Sequence, residues 1–399
     1  MNILFLYVSL PHLSESGVFS DLIKEFAKQG HSVRVAVPMN KDSANGVNME
    51  ADIEVLRFKT DQLTRNASNI QKGLAYIKFI FQSKKAIKKH FGKEKFDLII
   101  THSLPPEMGI VARSLKRQYK AKFYLMLCEY IWQDSVSLGF FKEGSLVCRY
   151  YQWLEKLTIK QADYIGSPSQ GNIDFTLRYY PWAKKHNMHI LHYSQAPIVI
   201  KRPSEDIREK YGLKDKFVAI YGGNMTVAQK IENVVELAAA CIEYPDIVFL
   251  LLGRGPHIEQ VKKNVEMRKI NNIVFQDFLP KEDYNQLLAS CDVGLVSLNE
   301  KLSVPNIPSK TLSYFNLSVP VVASIDHNTD YGKYLETAGG GLWSYTGDTE
   351  QFKENLLKLY HSSELRKQMG ENGYRFYMEN MLPEIAYQTI IGTLEIGHR

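Results

Sequence analysis

The sequence predicts an α/β protein made of two successive halves, each a parallel sheet with helices on its faces. Three observations lead there. Short apolar runs alternate with helical stretches along nearly all of the 399 residues, which is the βαβ pattern. The alternation breaks between Ser194 and Glu205, where QAPIVIKRPSED brings two prolines and a charge cluster, and then it restarts. Glycine turns stand directly after the first two strands of the second half. Domain one is therefore expected over 1–195 and domain two over 205–380. A last helical stretch, 381–399, lies far from its own domain's pattern and is expected to cross back to the first half.

In order, Asn2 to Ser9 is a continuous apolar run, expected of a strand buried on both faces. A loop holding Gly17 leads to a helix from Phe19 to Gln29 that buries Phe19, Leu22, Ile23 and Phe26, and Gly30 ends it. Strands follow at His31–Val37 and Ile53–Phe58, then a long helix over Ile70–Phe91 and a strand over Phe96–Thr101. His102 stands just past that strand, at the carboxyl edge where open α/β sheets hold ligands. Ala121–Leu127, a helix over Arg149–Gln161, Asp163–Gly166 and His189–His192 complete this half. In the second half strands are expected at Phe217–Tyr221, Ile247–Leu252, Asn272–Gln276 and Val293–Ser297. Helices fall between them at Glu232–Glu243, His257–Arg268 and Lys281–Ser290.

Composition excludes several classes. Apolar residues make up 45% and charged residues 23%, an ordinary globular balance. A net charge of +6 with no pure Lys/Arg run argues against a nucleic-acid partner. Cys128, Cys148, Cys241 and Cys291 have neither disulfide-framework nor metal spacing and read as buried thiols in a reducing compartment. MNILFLYVSLPH lacks a basic n-region and reads as a strand, not a signal peptide. No apolar run reaches the ~20 residues that span a bilayer. A cytoplasmic protein is expected, at most peripheral on the inner face of a membrane.

The stretch Asn299–Ser324, NEKLSVPNIPSKTLSYFNLSVPVVAS, concentrates the chemistry. Pro305 and Pro308 forbid helix, Thr311–Leu317 reads as one or two helical turns, and Pro320–Ser324 as a short strand. Pro308, Ser309 and Lys310 thus stand where a loop becomes a helix, a place suited to an anion, or else to an ordinary Ser cap beside a solvated Lys. Tyr221-Gly222-Gly223-Asn224-Met-Thr226 and Gly253-Arg254-Gly255 are the two glycine turns, and glycine lets a backbone approach a diphosphate closely.

Two such halves, with the glycine turns and the PSK loop in the second, resemble the GT-B glycosyltransferases, and within them the family 4 enzymes that build bacterial capsule and O-antigen chains. The resemblance implies two Rossmann-like domains facing a central cleft, a nucleotide-sugar donor held mainly by the second domain and an acceptor mainly by the first. It places Gly222, Gly223, Asn224, Gly253, Arg254 and Gly255 at the phosphates, and the backbone of Phe278 and Leu279 at the edge of the base. It makes His102 the first-domain histidine that approaches the transferred sugar. The chain also departs from the common pattern. Asn224 and Gln229 stand where many members have Arg and Lys, with Lys230 one step away, and Pro305 and Ser313 occupy the two positions of the E-x7-E signature. A branch of surface-polysaccharide transferases shares this pattern. In that branch Lys310 is a principal phosphate cation and Ser313 replaces the ribose-binding Glu.

Transfer from a nucleotide-sugar requires neutralising the leaving diphosphate. No convincing DxD and no His/Asp/Glu cluster at ligand spacing is visible, so neither metal nor other cofactor is expected, and Lys310, Arg254 or Lys230 would act electrostatically. Retention of configuration, implied by the family, lets the leaving phosphate take the acceptor's proton. Glu129 and Asp134, in the loop CEYIWQDS, and Gly17 are candidates for the acceptor, which the family makes a glycan or a lipid-diphosphate-linked sugar. Lys72–Lys95 carries eight lysines among aromatic residues, with Leu74, Ile77, Phe81 and Ile87 as an apolar stripe. Such a helix lies on anionic lipid or packs on the sheet with its lysines in water. The alternatives to a transferase are a nucleotide-sugar 2-epimerase of the same architecture and a non-catalytic nucleotide-sugar-binding protein. A nicotinamide dehydrogenase is disfavoured, because neither turn completes G-x-G-x-x-G with an acid about 20 residues on.

Overall fold

The computed structural model describes residues 1–40, 43–60, 69–185, 187–200 and 204–396. It divides into two compact units, Met1–Ala196 with Pro383–Arg399, and Pro197–Leu382.

Unit 1 runs β1 (Asn2–Leu6), α1 (Val18–Lys28), β2 (Ser32–Pro38), β3 (Gly46–Glu50), β4 (Ile53–Phe58), α2 (Asn69–Phe91), β5 (Leu98–His102), α3 (Met108–Tyr119), β6 (Lys122–Met126), α4 (Ile131–Ser137), α5 (Leu146–Gln161), β7 (Tyr164–Ser167), α6 (Gln170–Tyr179) and β8 (Asn187–Ile190). The strand order is β3-β4-β2-β1-β5-β6-β7-β8, parallel except where β3 pairs antiparallel with β4. Central β1 is buried on both faces, which is why its sequence does not alternate. The hairpin β3–β4 was not expected from sequence. It is tied to the loop after β1 by buried Arg57, which forks onto Glu50 at 2.8 and 2.9 Å and donates to the carbonyls of Leu10 and Pro11. Helices α3 and α6 were also unforeseen, and CEYIWQDS, read as a loop, runs into α4 from Ile131 on.

Unit 2 runs α7 (Ser204–Lys210), β9 (Phe217–Gly222), α8 (Glu232–Ala240), β10 (Ile247–Leu252), α9 (Ile258–Met267), β11 (Ile273–Gln276), α10 (Lys281–Ala289), β12 (Val293–Ser297), α11 (Lys310–Asn316), β13 (Val321–Ile325), α12 (Tyr331–Ala338), β14 (Gly341–Tyr345), α13 (Thr349–His361) and α14 (Ser363–Asn380). Its sheet is parallel throughout, in the order β11-β10-β9-β12-β13-β14. The last helix, α15 (Pro383–Ile396), belongs to unit 1, where Ala386 and Ile390 join Phe26 and Ile3 in the core and Tyr387 meets His31 at 2.9 Å.

Each sheet is doubly wound. In unit 1 the chain moves outward from β1 through β2 and returns on the other side at β5. In unit 2 it moves outward from β9 through β10 to β11 and returns at β12. Ligands of such sheets bind beyond the carboxyl ends of the strands where the order reverses. Two places are thereby marked, the ends of β1 and β5 and the ends of β9 and β12.

Candidate active site

At the reversal in unit 2 the strands part. β9 and β12 pair only through Val293 with Ala219 and Gly294 with Ile220. The opening is filled by Tyr314 of α11, whose hydroxyl donates to the Leu295 carbonyl at 3.1 Å, lies 3.4 Å from that of Ile220, and accepts from the Gly222 amide at 3.5 Å. Gly294 allows this, because a Cβ there would come within 2.6 Å of the Tyr314 ring. Tyr314 therefore anchors the seven-residue α11, and with it Lys310 at its first turn.

Lys310 is not a solvated lysine. Its Nζ is buried with no hydrogen-bond partner among the described residues and sits 3.4 Å above the ring centroid of Tyr221, at the end of β9. Burial pulls its ammonium down to about 7. Gly223, with φ of +130°, is beside it, and a Cβ built there would lie 3.8 Å from Lys310 Cε and Nζ. Ser309 is exposed and makes no side-chain cap, so the structure does not support the ordinary Ser-cap reading. Pro308 is buried beside it, and Ser313 is half-buried one turn on. The loop ahead of α11 is held by a turn that sequence reasoning missed. Asp326 Oδ1 accepts from the amides of Asn328 and Thr329, Thr329 bonds both backbone groups of Asn306, and Asn328 donates to the Leu302 carbonyl. The readable signal was DHNTD directly after a strand, an Asx-turn composition.

The two glycine turns stack on each other. The Gly223 amide donates to Leu252 and the Met225 amide to Arg254, extending the β9–β10 ladder past the strands. A Cβ at Gly253 would lie 1.9 Å from the Gly223 carbonyl oxygen, and one at Gly255 equally close to that of Met225. Gly222 is closed off by the Tyr284 hydroxyl. Of the predicted phosphate-loop glycines, Gly223 is exposed beside a cation, whereas Gly253 and Gly255 are required for backbone packing and Gly222 makes room for the Tyr284 side chain. Asn224 is exposed, and its carbonyl accepts from the Tyr221 hydroxyl.

Three groups expected at the donor have partners within the chain. Arg254 is exposed and paired with Asp277 at 2.7 Å, its guanidinium lying over the Phe278 ring. The Phe278 amide is taken by the Asp277 carboxylate at 2.7 Å, which leaves the backbone of half-buried Leu279 as the candidate for a base edge. Lys230 is engaged with Glu300 at 2.5 Å, while its carbonyl accepts from Ser297.

In unit 1, His102 ends β5. Its Nδ1 accepts the Leu104 amide at 3.1 Å and its ring meets Phe19 of α1 edge-on at 5.2 Å. Burial holds the imidazole neutral, with its pKa pushed down to about 4. With Nδ1 accepting, the proton resides on Nε2, so His102 presents a neutral N–H donor. Neighbouring Ser103 Oγ accepts the amides of Cys128 and Glu129, which joins the ends of β5 and β6. The Glu129 carboxyl is exposed at this edge, and partial desolvation raises its pKa. Asp134 is half-buried within α4 rather than in a loop. The Gly17 amide is already occupied, because Asp21 Oδ2 accepts it at 3.1 Å along with the Ser16 hydroxyl and the Ala196 amide. Sequence reasoning also missed Glu107, fully buried at the start of α3 with Oε2 unpartnered and its carboxyl raised to about 7 by burial. Among the described residues no group of three or more His, Cys, Asp or Glu is placed to hold a metal, and no helix is long and apolar enough to cross a membrane.

Comparison with known proteins gives a consistent result. Residues 17–193 match the model of the glycosyl transferase 4-like domain, and residues 203–376 that of glycosyl transferases group 1. The chain is 23% identical to the probable glycosyltransferase WbjE of Pseudomonas aeruginosa, over 84% of this chain and 83% of that protein. Across the first curated relatives the covered share of the relative runs from 34% to 83%. Among solved structures it resembles Anabaena Alr3699/HepE in complex with UDP and glucose, with a TM-score of 0.69 and 16% identity over 99% of this chain and 100% of that one. It also resembles WaaG, a glycosyltransferase involved in lipopolysaccharide biosynthesis, with a TM-score of 0.67 and 17% identity over 98% of this chain and 100% of that one.

Proposed function

This chain belongs to the glycosyltransferases of GT-B architecture, family 4-like, and from that premise we propose that it is a retaining, metal-independent enzyme. It moves a hexosyl or N-acetylhexosaminyl group from a nucleotide-sugar, a UDP-sugar in our reading, to a lipid-linked or surface-polysaccharide acceptor of the capsule or O-antigen type. The donor class is supported by the fold neighbour that holds UDP and glucose, and the acceptor class by the one involved in lipopolysaccharide biosynthesis. Unit 2 holds the donor and unit 1 the acceptor, in the cytoplasm.

The observation that carries the reading is the buried, uncompensated Nζ of Lys310 beside Gly223, where the order of the unit 2 sheet reverses. A cation without a counter-charge in a low-dielectric setting is costly unless an anion completes it. As the anomeric bond breaks, negative charge grows on the leaving diphosphate, and a fixed ammonium there favours the transition state over the ground state. His102 donates Nε2–H to a hydroxyl of the transferred sugar. The acceptor hydroxyl attacks on the face the diphosphate leaves, and the phosphate takes its proton. Ser313 offers the ribose a single hydroxyl, and the backbone of Leu279 reads the base.

The test is binding of UDP, GDP and CDP, with NAD as a control, by calorimetry with and without EDTA, on the wild type and Lys310→Ala. The expected result is one nucleoside diphosphate bound equally in both conditions and at least about tenfold more weakly by the variant. Equal affinity in Lys310→Ala, or binding of NAD alone, overturns the reading.

A further inference from the structure

Unit 1 carries a face that its own core does not use. Helices α2 and α5 both pack on α3, and they approach each other around Glu107, which the Tyr150 hydroxyl touches at 3.4 Å and whose charge also acts on Tyr76 and Tyr151. Outward from this junction the apolar residues are uncovered. Leu146, Tyr150 and Trp153 follow one face of α5 and are 85%, 38% and 51% exposed, with Phe140 in the preceding turn at 62%. Ile77 and Phe81, one turn apart on α2, are 50% and 68% exposed. The stripe expected on α2 is thus divided: Ile87 is buried, Ile77 and Phe81 face out, and the side chains of Lys72 and Leu74 lie outside the described residues.

The exposed charge on the two helices has one sign, and an exposed acid, Glu143, stands in the turn before α5. α2 contains no Asp or Glu and exposes Lys78, Lys85, Lys88 and Lys89. α5 exposes Arg149, Lys156 and Lys160, and its single acid, Glu155, is buried, accepting from Trp132, Gln133 and Tyr180. The outward faces of both helices therefore combine aromatic and aliphatic groups with lysine and arginine and carry no acid. A second copy of this chain would set like charge against like. A surface offering hydrocarbon beneath a layer of negative headgroups satisfies both the apolar and the basic groups.

We infer that the α2–α5 face docks unit 1 onto an anionic phospholipid bilayer, with Phe81, Leu146 and Trp153 at the headgroup level and the lysines on the phosphates. The inference rests on the lipid-linked acceptor of the proposed function and adds the surface that would bring the enzyme to it. The segment from His102 to Glu107 runs directly from the candidate sugar-binding histidine into this face, so a docked face and the acceptor site share one short piece of chain.

The test is sedimentation of the full chain with vesicles of phosphatidylcholine alone and with one third phosphatidylglycerol, alongside Leu146→Ser/Trp153→Ser and Lys88→Glu/Lys89→Glu. Each cationic side chain near an anionic surface strengthens partitioning about fivefold. The wild type should bind the anionic vesicles at least about tenfold better than the neutral ones, lose that preference in high salt, and lose about tenfold or more in either double variant. Unchanged melting temperature and UDP affinity in the variants would show that the fold and donor site are intact. UDP binding without vesicle binding overturns the docking face and leaves the transferase reading standing. Equal binding to both vesicle types, or binding indifferent to both variants, also overturns it. So does a concentration-dependent dimer that Leu146→Ser/Trp153→Ser dissolves, since the face would then be a protein interface.

Discussion

The carboxyl edges of the two sheets are built from the same winding but hold opposite chemistry. In unit 2 the reversal point carries a buried amine that no acid among the described residues pairs. In unit 1 it carries a neutral imidazole, an exposed carboxyl, and, one helix start further, a buried carboxyl with an oxygen unpaired. A strand reversal supplies a place and backbone groups, and the side chains decide the sign of what is held there. The unit 2 edge suits an anion such as a diphosphate, whereas the unit 1 edge suits neutral hydroxyls.

The contrast is broken most decisively at Lys310. On the proposed role of its charge at the leaving group, Lys310→Ala should lower kcat by about 10²–10³ in a sugar-transfer assay with a matched donor. A variant within threefold of wild type would mean that unit 2 neutralises the diphosphate by other means. His102→Ala should cost about 10² in kcat while leaving UDP affinity unchanged by calorimetry, if, as proposed, its N–H serves the sugar and not the nucleotide.

The pH dependence of stability should also differ in sign between the two edges. The Lys310 amine is depressed from its ordinary 10.5 to about 7. Between those values the unfolded chain binds a proton that the folded chain has lost, so stability rises with pH across that window. Lys310→Met should remove a rise of up to about 1.4 kcal/mol per pH unit in denaturant titrations. Glu107 is raised from 4.5 to about 7. There the folded chain holds the extra proton, so stability falls as pH climbs from 4.5 through 7, and Glu107→Gln should flatten that fall. Buried Glu155, also raised to about 7, adds the same sign, and His102, depressed to about 4, the opposite one. The informative quantity is therefore the difference between wild type and Glu107→Gln.

The smallest effects sharpen the comparison within unit 2. Arg254 and Lys230 are already neutralised by Asp277 and Glu300, so Arg254→Ala and Lys230→Ala should each change UDP affinity by no more than about threefold, as expected of ion pairs near the surface. Glu300→Gln frees Lys230 and should tighten UDP a few-fold. A loss comparable to that of Lys310→Ala in either Ala variant would return that cation to the site.

These cations also show where the sequence could be read and where it could not. Lys310 was legible because its context is local: a proline loop, a helix start and a strand within some two dozen residues. The pairing of Arg254 with Asp277 and of Lys230 with Glu300 spans 23 and 70 positions, which no local pattern announces. Tyr314 was equally hidden, since a tyrosine in an amphipathic turn gives no sign that its hydroxyl fills a gap between two strands. In unit 1, β3 escaped notice because GVNME has little apolar signal, and its turn uses Ala51 and Asp52 at positive φ in place of the expected glycine or asparagine. Helix α3 begins right after two prolines, and its Gly109 looks like a breaker. It is needed because a Cβ there would overlap Thr158 of α5. The strands themselves were the easy part, since burial on both faces leaves a continuous apolar run that sequence displays directly.

The position of the Lys310 amine has a consequence for the thermodynamics of donor capture. Burial disfavours its charged form, and an arriving anion would favour that form again. Capture of a diphosphate would therefore draw a fraction of a proton from the medium. Its measured heat would vary with the ionisation enthalpy of the buffer, growing more dependent on it as the pH is raised above 7. The site would behave as a coupled proton and anion acceptor, and cellular alkalinity would weaken its hold on donor and spent nucleotide together.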